Sequence, residues 1–178
     1  MPTGAGKSLC YQLPSLLLEE VFLSFSGFHA EEGTKDSYLR WSSGKSKIII
    51  TNDSDEVKSI ASEYGVDGFT LNNNEGATIE TTGTSDGYGI FMDRNTNVTV
   101  VNDGTITSDI NALRCLNCAD VAFTNTGTIE STDSSAGAAT IIRGATGTNT
   151  ITNSGEITSA YTRGLDVSQT TGTTVTNI

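Results

Sequence analysis

A chain of 178 residues has room for one ordinary domain, or for a small module joined to a larger one. Its hydrophobic fraction of 35%, with 19 glycines and 2 prolines, excludes a thick two-layer core and favours a thin, regular core built from many short strands. The net charge of −11 at pH 7 argues against a nucleic-acid partner, because binding to a phosphate backbone needs a basic surface.

The chain begins with a glycine-rich motif, MPTGAGKSLCYQLP (1–14). Residues 2–18 resemble the first ATPase motif (Walker A) of RecQ-type DNA helicases. The resemblance implies that Gly4 and Gly6 let backbone amides approach phosphate. It also implies that Lys7 reaches the β- and γ-phosphates and that Ser8 ligates magnesium, with ATP and magnesium as the cofactors.

The other parts of an ATPase do not follow this motif. Met1 stands where the strand before a P-loop would end, and the resemblance fades after about Leu18. No acidic box of the Asp-Glu-x-His kind follows, and no segment corresponds to an arginine finger or a second motor domain. We interpret residues 1–44 as a helicase-motif-like remnant, helical or poorly ordered, with a vestigial nucleotide site and no cofactor. The first alternative is a fragment of an ATP-dependent RecQ-like DNA helicase that carries only the P-loop.

An apolar segment, LPSLLLEEVFLSFSGFHA (13–30), has some features of a signal peptide. Glu19 and Glu20 interrupt its apolar part, so we do not interpret it as one. No apolar run in the chain reaches the roughly 18–20 residues that a membrane-spanning helix needs, and no transmembrane segment is expected.

The segment 45–68 is predicted to form a strand followed by a helix. KSKIIITN (45–52) has the composition of a strand. SDEVKSIASEYG (54–65) places Val57, Ile60, Ala61 and Tyr64 on one helical face, with Gly65 as its stop. We expect this small α/β unit to cover the first rung of the structure that follows.

The composition changes near residues 65–69. No lysine occurs after Lys58 and no proline after Pro14, and from Phe69 onward four arginines accompany eleven carboxylates among many Thr, Asn, Ser and Gly residues. Four similar segments follow, namely LNNNEGATI (71–79), VVNDGTI (100–106), FTNTGTI (123–129) and ITNSGEI (151–157), and a fifth begins with VTNI (175–178). The steps between Asn74, Asn102, Asn125, Asn153 and Asn177 are 28, 23, 28 and 24 residues.

Each repeat contains two further apolar bursts with a period of two residues. One burst comprises Ile90/Met92, Leu113/Cys115, Ile141 and Leu165/Val167, and the other comprises Val98/Val100, Val121/Phe123, Ile151 and Val175. A period of two residues between turn-forming residues predicts short strands, three to a repeat. The sequence therefore predicts a mainly β fold: a right-handed parallel β-helix (solenoid) of about four rungs over residues 69–178, with a small α/β N-terminal cap.

The Asn and Gly of each repeat are predicted to form a corner. The Asn tolerates a left-handed backbone, and its amide can also bond to the equivalent Asn of the next rung to form a ladder. The glycines that follow are predicted to adopt positive φ; they are Gly76, Gly104, Gly127 and Gly155. The competing interpretation of these repeats is a disordered polar linker.

The segments VTVVNDGTI, VAFTNTGTI and TITNSGEI resemble the β-helical passenger repeats of bacterial autotransporters and related surface adhesins. The resemblance covers residues 69–178 and implies secretion, display at the cell surface and binding to a host-surface or cell-surface ligand. We expect a non-catalytic adhesive or structural role and a solenoid truncated at its C-terminus, whose open ends favour self-association.

Two other groups of residues have possible chemistry. Cys115 and Cys118 either form a small disulfide in an exported chain or leave Cys115 facing inward as a small hydrophobe; zinc would need two more ligands, and His29 is the only histidine. Asp93 and Asp166 occupy similar places in their rungs, so a β-helical polysaccharide-acting enzyme is the second alternative. Two intervening rungs, which carry Arg114 and Arg143, would hold these carboxylates about 14 Å apart, too far for joint catalysis. No catalytic residue and no metal ligand is predicted.

Overall fold

The chain folds into a stack of short parallel strands. The computed structural model describes residues 20–25, 38–42, 47–52, 57, 59–63, 65–81, 87–132 and 138–178. In these residues every regular element is a strand. The strands are β1 (Glu20–Phe25), β2 (Tyr38–Ser42), β3 (Lys47–Asn52), β4 (Ser59–Glu63), β5 (Phe69–Asn73), β6 (Thr78–Thr81), β7 (Tyr88–Asp93), β8 (Thr96–Asn102), β9 (Thr105–Ser108), β10 (Asn111–Leu116), β11 (Ala119–Asn125), β12 (Thr128–Ser131), β13 (Thr140–Arg143), β14 (Asn149–Asn153), β15 (Glu156–Ser159), β16 (Leu165–Ser168) and β17 (Thr173–Asn177).

The strands form three parallel sheets that run along the solenoid axis. Sheet A has the order β1-β3-β5-β8-β11-β14-β17, sheet B the order β16-β13-β10-β7-β4-β2, and sheet C the order β15-β12-β9-β6. From β5 to β16 the chain visits A, C and B in turn, so each rung contributes one strand to each sheet. The predicted parallel β-solenoid of about four rungs is confirmed.

Equivalent apolar side chains are stacked in columns inside the solenoid. Sheet registers align the members of each column, and most of them are buried. The column of sheet C is Val57, Ile79, Ile106, Ile129 and Ile157. The column of sheet A is Ile50, Leu71, Val100, Phe123, Ile151 and Val175. Each fully buried aliphatic side chain contributes roughly 1.5–3 kcal/mol, so stability accumulates along the stack.

One inward position differs from the prediction. In sheet B, Cys115 is aligned with Met92 on one side and with Ile142 on the other. Ile141, which the pattern predicted to point inward, is aligned with Arg114 on the outer face. The alternation of buried positions in neighbouring strands fixes this register, because a slip by one residue would reverse every side chain.

The predicted helix over residues 54–65 is wrong where the structure describes it. Ser59–Glu63 is strand β4, which pairs with β2 and β7 in sheet B. Val57 forms a parallel bridge with Ile79. Ile60 is aligned with Ile90 and is 1% exposed, so burial in the sheet outweighs the weak helical pattern of the segment. The strand predicted over 45–52 is confirmed as β3.

The solenoid also extends beyond the predicted boundary near residue 69. β1 and β3 belong to sheet A, and β2 and β4 belong to sheet B, so the described strands before residue 69 continue the later sheets. The expectation of a helical or poorly ordered remnant therefore does not hold for Glu20–Phe25 and Tyr38–Ser42, which are strands. Among the described residues, no helix has the length and apolar character needed to cross a membrane.

Candidate functional site

A ladder of asparagines runs along the corner between sheets A and C. Each side-chain amide donates from Nδ2 to the Oδ1 of the next rung, over distances of 2.7–2.8 Å. The members are Asn52, Asn73, Asn102, Asn125, Asn153 and Asn177. All donors point toward the C-terminal end, an arrangement in which successive hydrogen bonds polarise one another. The predicted ladder is confirmed.

Two members of the ladder are not among the asparagines that the repeats in the sequence predicted. In the first repeat the ladder residue is Asn73 and not Asn74, since Asn73 is aligned with Asn102. Asn74 instead begins a turn in which the Ala77 amide donates to the Asn74 carbonyl at 3.0 Å. This turn accommodates the extra residue of the first repeat. Asn52 lies outside the repeats recognised in the sequence, although the run ITN (50–52) is identical to ITN (151–153).

Glycine follows the ladder because two rungs approach closely at this corner. Only Gly76 has the predicted positive φ, at +81°. The prediction of positive φ is wrong for Gly104, Gly127 and Gly155. A Cβ on Gly127 would collide with the Gly104 carbonyl oxygen, and a Cβ on Gly155 would collide with the Gly127 carbonyl oxygen. The missing side chain therefore provides space for stacking, not conformational freedom.

The corner between sheets B and A contains the left-handed residues instead. The residue that directly follows each sheet B strand from β7 to β16 has positive φ. These residues are Arg94 after β7, Asn117 after β10, Gly144 after β13 and Gln169 after β16. Asn, which carries a short polar side chain, is among the residues that adopt this conformation most readily. Inside the same corner the fully buried Asn95 accepts from the Val66 amide at 3.1 Å and donates to Ser62 Oγ at 2.8 Å.

Cys115 and Cys118 are joined by a disulfide in the solenoid interior. Their Cα atoms are 6.3 Å apart and both side chains are fully buried. Cys115 also occupies an inward position of β10, aligned with Met92. Of the two alternatives that the sequence left open, the inward hydrophobic position and the disulfide are therefore both present.

The residues predicted as candidate chemistry are not brought together. Gly4, Gly6, Lys7 and Ser8 lie outside the described residues. Asp93 ends β7 and Asp166 lies in β16, and β10 and β13 separate these strands in sheet B. The two positions also differ by two residues along the strand, because the register that starts at Asp93 ends at Ser168. These carboxylates cannot act on one bond.

Each of these two carboxylates has its own partners. Asp166 accepts from Arg143 at 3.0 Å, and its carboxylate is 3.9 Å from Arg163. Asp93 lies 3.7 Å from Arg94 and 3.5 Å from the Asn117 amide. Both act as surface ion-pair groups, a type of contact that contributes about 0–1 kcal/mol to stability.

An aromatic and cationic cluster lies on the outer face of sheet B, and sequence reasoning missed it. The Tyr88 and Phe91 rings stack with centroids 5.3 Å apart and an interplanar angle of 24°. The Arg114 guanidinium carbon is 5.0 Å from the Tyr88 ring centroid, and Arg114 Nη1 donates to the Tyr88 hydroxyl. Phe91, Arg114 and Ile141 are aligned on adjacent strands. Lateral alignment of strands 23–27 residues apart brings these side chains together, and the local sequence carries no signal for it.

One carboxyl group in the described residues has a shifted acidity. Thr96 Oγ1 and Asn97 Nδ2 each donate to Asp67 Oδ1 at 2.7 Å. These two hydrogen bonds, with that of Thr96 the larger cause, hold the pKa of Asp67 below its ordinary value. The described residues contain no group of three or more His, Cys, Asp or Glu side chains that could hold a metal ion.

Comparisons with known proteins do not assign this chain to a family. No family model, curated protein or solved structure matches it.

Proposed function

We propose that this chain is a non-catalytic β-solenoid segment of a secreted or cell-surface protein, with an adhesive or structural role. The observation that supports the proposal most is the stack of three parallel sheets, of which sheet A pairs seven strands in succession from β1 to β17. In such a stack each rung contacts only its neighbours, and the outer faces of the sheets are available for contacts. A stack of this type suits a structural role, in which it separates other parts of a protein from the cell surface, or an adhesive role, in which its outer faces contact a ligand.

The outer surface and the interior both agree with an extracellular setting. Outward positions are rich in Thr, Ser, Asn and carboxylates, and the chain carries a net charge of −11, which favours solubility of an extended β-structure. The buried pair Cys115–Cys118 is oxidised, and disulfides persist mainly in oxidising compartments outside the cytosol. The autotransporter-like repeats supply the same expectation independently.

The two alternative functions receive no comparable support. The P-loop residues of a helicase fragment lie outside the described residues, so the structure adds nothing to that hypothesis. A polysaccharide-acting enzyme would need cooperating carboxylates, and Asp93 and Asp166 lie on strands separated by two others.

Surface proteolysis of intact cells that encode the chain tests the proposal. Protease added to unbroken cells should remove the chain from the cell or release its fragments, whereas a cytosolic marker protein should remain intact. Beads coated with the purified chain should then adhere to the host-cell or neighbouring-cell surface that the proposed adhesive role requires. They should adhere more than beads coated with an unrelated acidic protein. A chain that is protected until the cells are lysed would contradict the proposal.

A further inference from the structure

The outer face of sheet A carries two rows of uncharged side chains that run along the solenoid axis. One row is Ile49, Thr70, Thr99, Ala122, Thr150 and Thr174. The other row is Thr51, Asn72, Val101, Thr124, Thr152 and Thr176. These positions alternate with the inward column of the sheet. The charged residues in the strands of sheet A are Glu20, Lys47 and Asp120, which lie at the first or second position of their strands, outside both rows.

The threonine hydroxyls of the two rows are available to a ligand. Among the described residues, none of these hydroxyls is hydrogen-bonded to another protein group. Threonines at the corners beside the sheet differ, since Thr96 Oγ1 donates to Asp67 at 2.7 Å and Thr126 Oγ1 donates to Asp103 at 2.6 Å. Because a β-branched side chain is stiff at χ1, each threonine of the rows holds its methyl and hydroxyl groups in few orientations.

The two rows form a regular array. Adjacent strands lie about 4.8 Å apart, and residues two positions apart on a parallel strand lie about 6.6 Å apart. The asparagine ladder at the edge of sheet A repeats its 2.7–2.8 Å hydrogen bond at every step from Asn52 to Asn177. Side-chain ladders are one of the features that stabilise a flat sheet against the usual twist. The ladder therefore favours a flat array with constant spacing.

We propose that the outer face of sheet A binds the surface of an ice crystal. Water oxygens on the prism faces of hexagonal ice repeat, in two perpendicular directions, at distances close to the two spacings of the array. The threonine hydroxyls would donate to and accept from the outermost water layer. The methyl groups would lie in the spaces between its water molecules, where they are removed from liquid water. The inference rests on the proposed adhesive function and gives it a ligand class.

The chemistry of the face favours ice over a polymer. A charged polymer binds through groups of opposite charge, and neither row has a charged residue. A neutral polysaccharide presents apolar ring faces, for which aromatic side chains are the usual partners, and neither row has an aromatic residue. A lattice that repeats in two directions is the ligand that matches an uncharged array repeating in two directions.

The size of the face argues against a second copy of this chain as its occupant. The two rows span about 24 Å by 10 Å, roughly a third of the area of about 800 Å² that each partner buries in a stable protein interface. An ice crystal needs no matching patch of its own, because every part of one crystal face presents the same lattice.

Growth of ice from a solution of the full chain tests the inference. The fluorescently labelled chain and a labelled unrelated acidic protein are exposed, at equal concentrations, to a slowly growing ice front in dilute buffer. We expect the chain to be enriched in the ice and the acidic protein to be excluded from it. Microcrystalline cellulose in the same buffer above freezing provides a second solid surface, and it should bind no more of the chain than of the acidic protein.

A matched pair of variants in one rung locates the site. Thr150→Lys places a long charged side chain on the face of sheet A. It should lower the ice-bound fraction about tenfold or more, because a cation held against ice loses hydration without gaining a partner. Thr158→Lys makes the same change on the outer face of sheet C, beside Glu130, and should leave the fraction within about twofold. Circular dichroism checks that both variants fold, and the measurement on the unaltered chain remains decisive where one does not.

Three results would overturn the inference: exclusion of the chain from ice to the same extent as the acidic protein, equal losses in the two folded variants, or binding to cellulose above that of the acidic protein. None of them depends on cellular location, so failure here is distinguishable from failure of the surface proteolysis test.

Discussion

The side chain of Asn102 donates a 2.7 Å hydrogen bond to Oδ1 of Asn125 on the next rung, and both residues are fully buried. The backbone carbonyl of Asn102 also accepts from the amides of Thr126 and Gly127, at 2.9 and 3.1 Å. Each ladder asparagine thus joins its rung to the next through both its side chain and its main chain. The rung-to-rung spacing at this corner is set by these hydrogen bonds.

Removing a central member of the ladder should destabilise the solenoid. Asn102→Ala removes the ladder acceptor of Asn73 Nδ2, which retains only the Thr105 carbonyl, and leaves Asn125 Oδ1 without its ladder donor. Because both groups are buried, we expect a cost of about 2–4 kcal/mol. The exposed terminal member provides the control, since Asn177→Ala removes one solvent-accessible acceptor and should cost less than about 1 kcal/mol. Urea unfolding followed by circular dichroism compares the two. Equal midpoints for both variants would mean that the ladder contributes no stability.

The corner glycines should differ in their tolerance of a side chain. Gly127→Asn places a Cβ against the Gly104 carbonyl and should destabilise the chain by about 1–3 kcal/mol or more, because two backbones must separate. Gly76 has positive φ and open space around the Cβ position, so Gly76→Asn should cost less than about 1 kcal/mol. Melting temperatures measure the difference. A larger loss for Gly76→Asn would show that backbone conformation, and not close approach, limits this corner.

The interior disulfide predicts a definite thiol count. The chain contains three cysteines, and the Cys115–Cys118 bond removes two of them from the expected count of reactive thiols. The denatured, unreduced chain should therefore show one reactive thiol with a chromogenic disulfide reagent, and the Cys10→Ser variant should show none. Because the closed loop is short, the Cys115→Ala/Cys118→Ala double variant should lose about 2 kcal/mol of stability. Three reactive thiols without reductant would contradict the disulfide.

Asp67 should produce a small pH dependence of stability at acidic pH. Its pKa is depressed in the folded state, so its stabilising contribution is complete above the unfolded pKa of about 3.9 and is lost as pH falls through the lower folded value. Thr96→Val removes the larger cause and should raise the pKa toward its ordinary value. Titration of the carboxyl carbon by NMR reads this directly, with Asp67→Asn used to assign the signal. An unchanged pKa in Thr96→Val would show that the Thr96 hydroxyl does not set the acidity of Asp67.

Local patterns were enough to predict the fold class. The recurring Asn-x-Gly corners and the period-two apolar bursts after residue 69 predict short strands that stack, and the columns through Ile106 and Ile129 confirm it. The helix predicted for 54–65 shows the limit of this reasoning. SIASE (59–63) has no strong local preference, and its pairing with β7 decides the outcome.

The sequence by itself determined the repeating unit, its three short strands and the asparagine corner, because these depend on residue types within a few positions of one another. Tertiary structure alone decided which Asn enters the ladder, that Ile142 and not Ile141 faces inward, and that Arg114 lies beside Tyr88 and Phe91. These outcomes depend on the register between strands that are more than twenty residues apart, and hydrogen bonding and packing between rungs set that register.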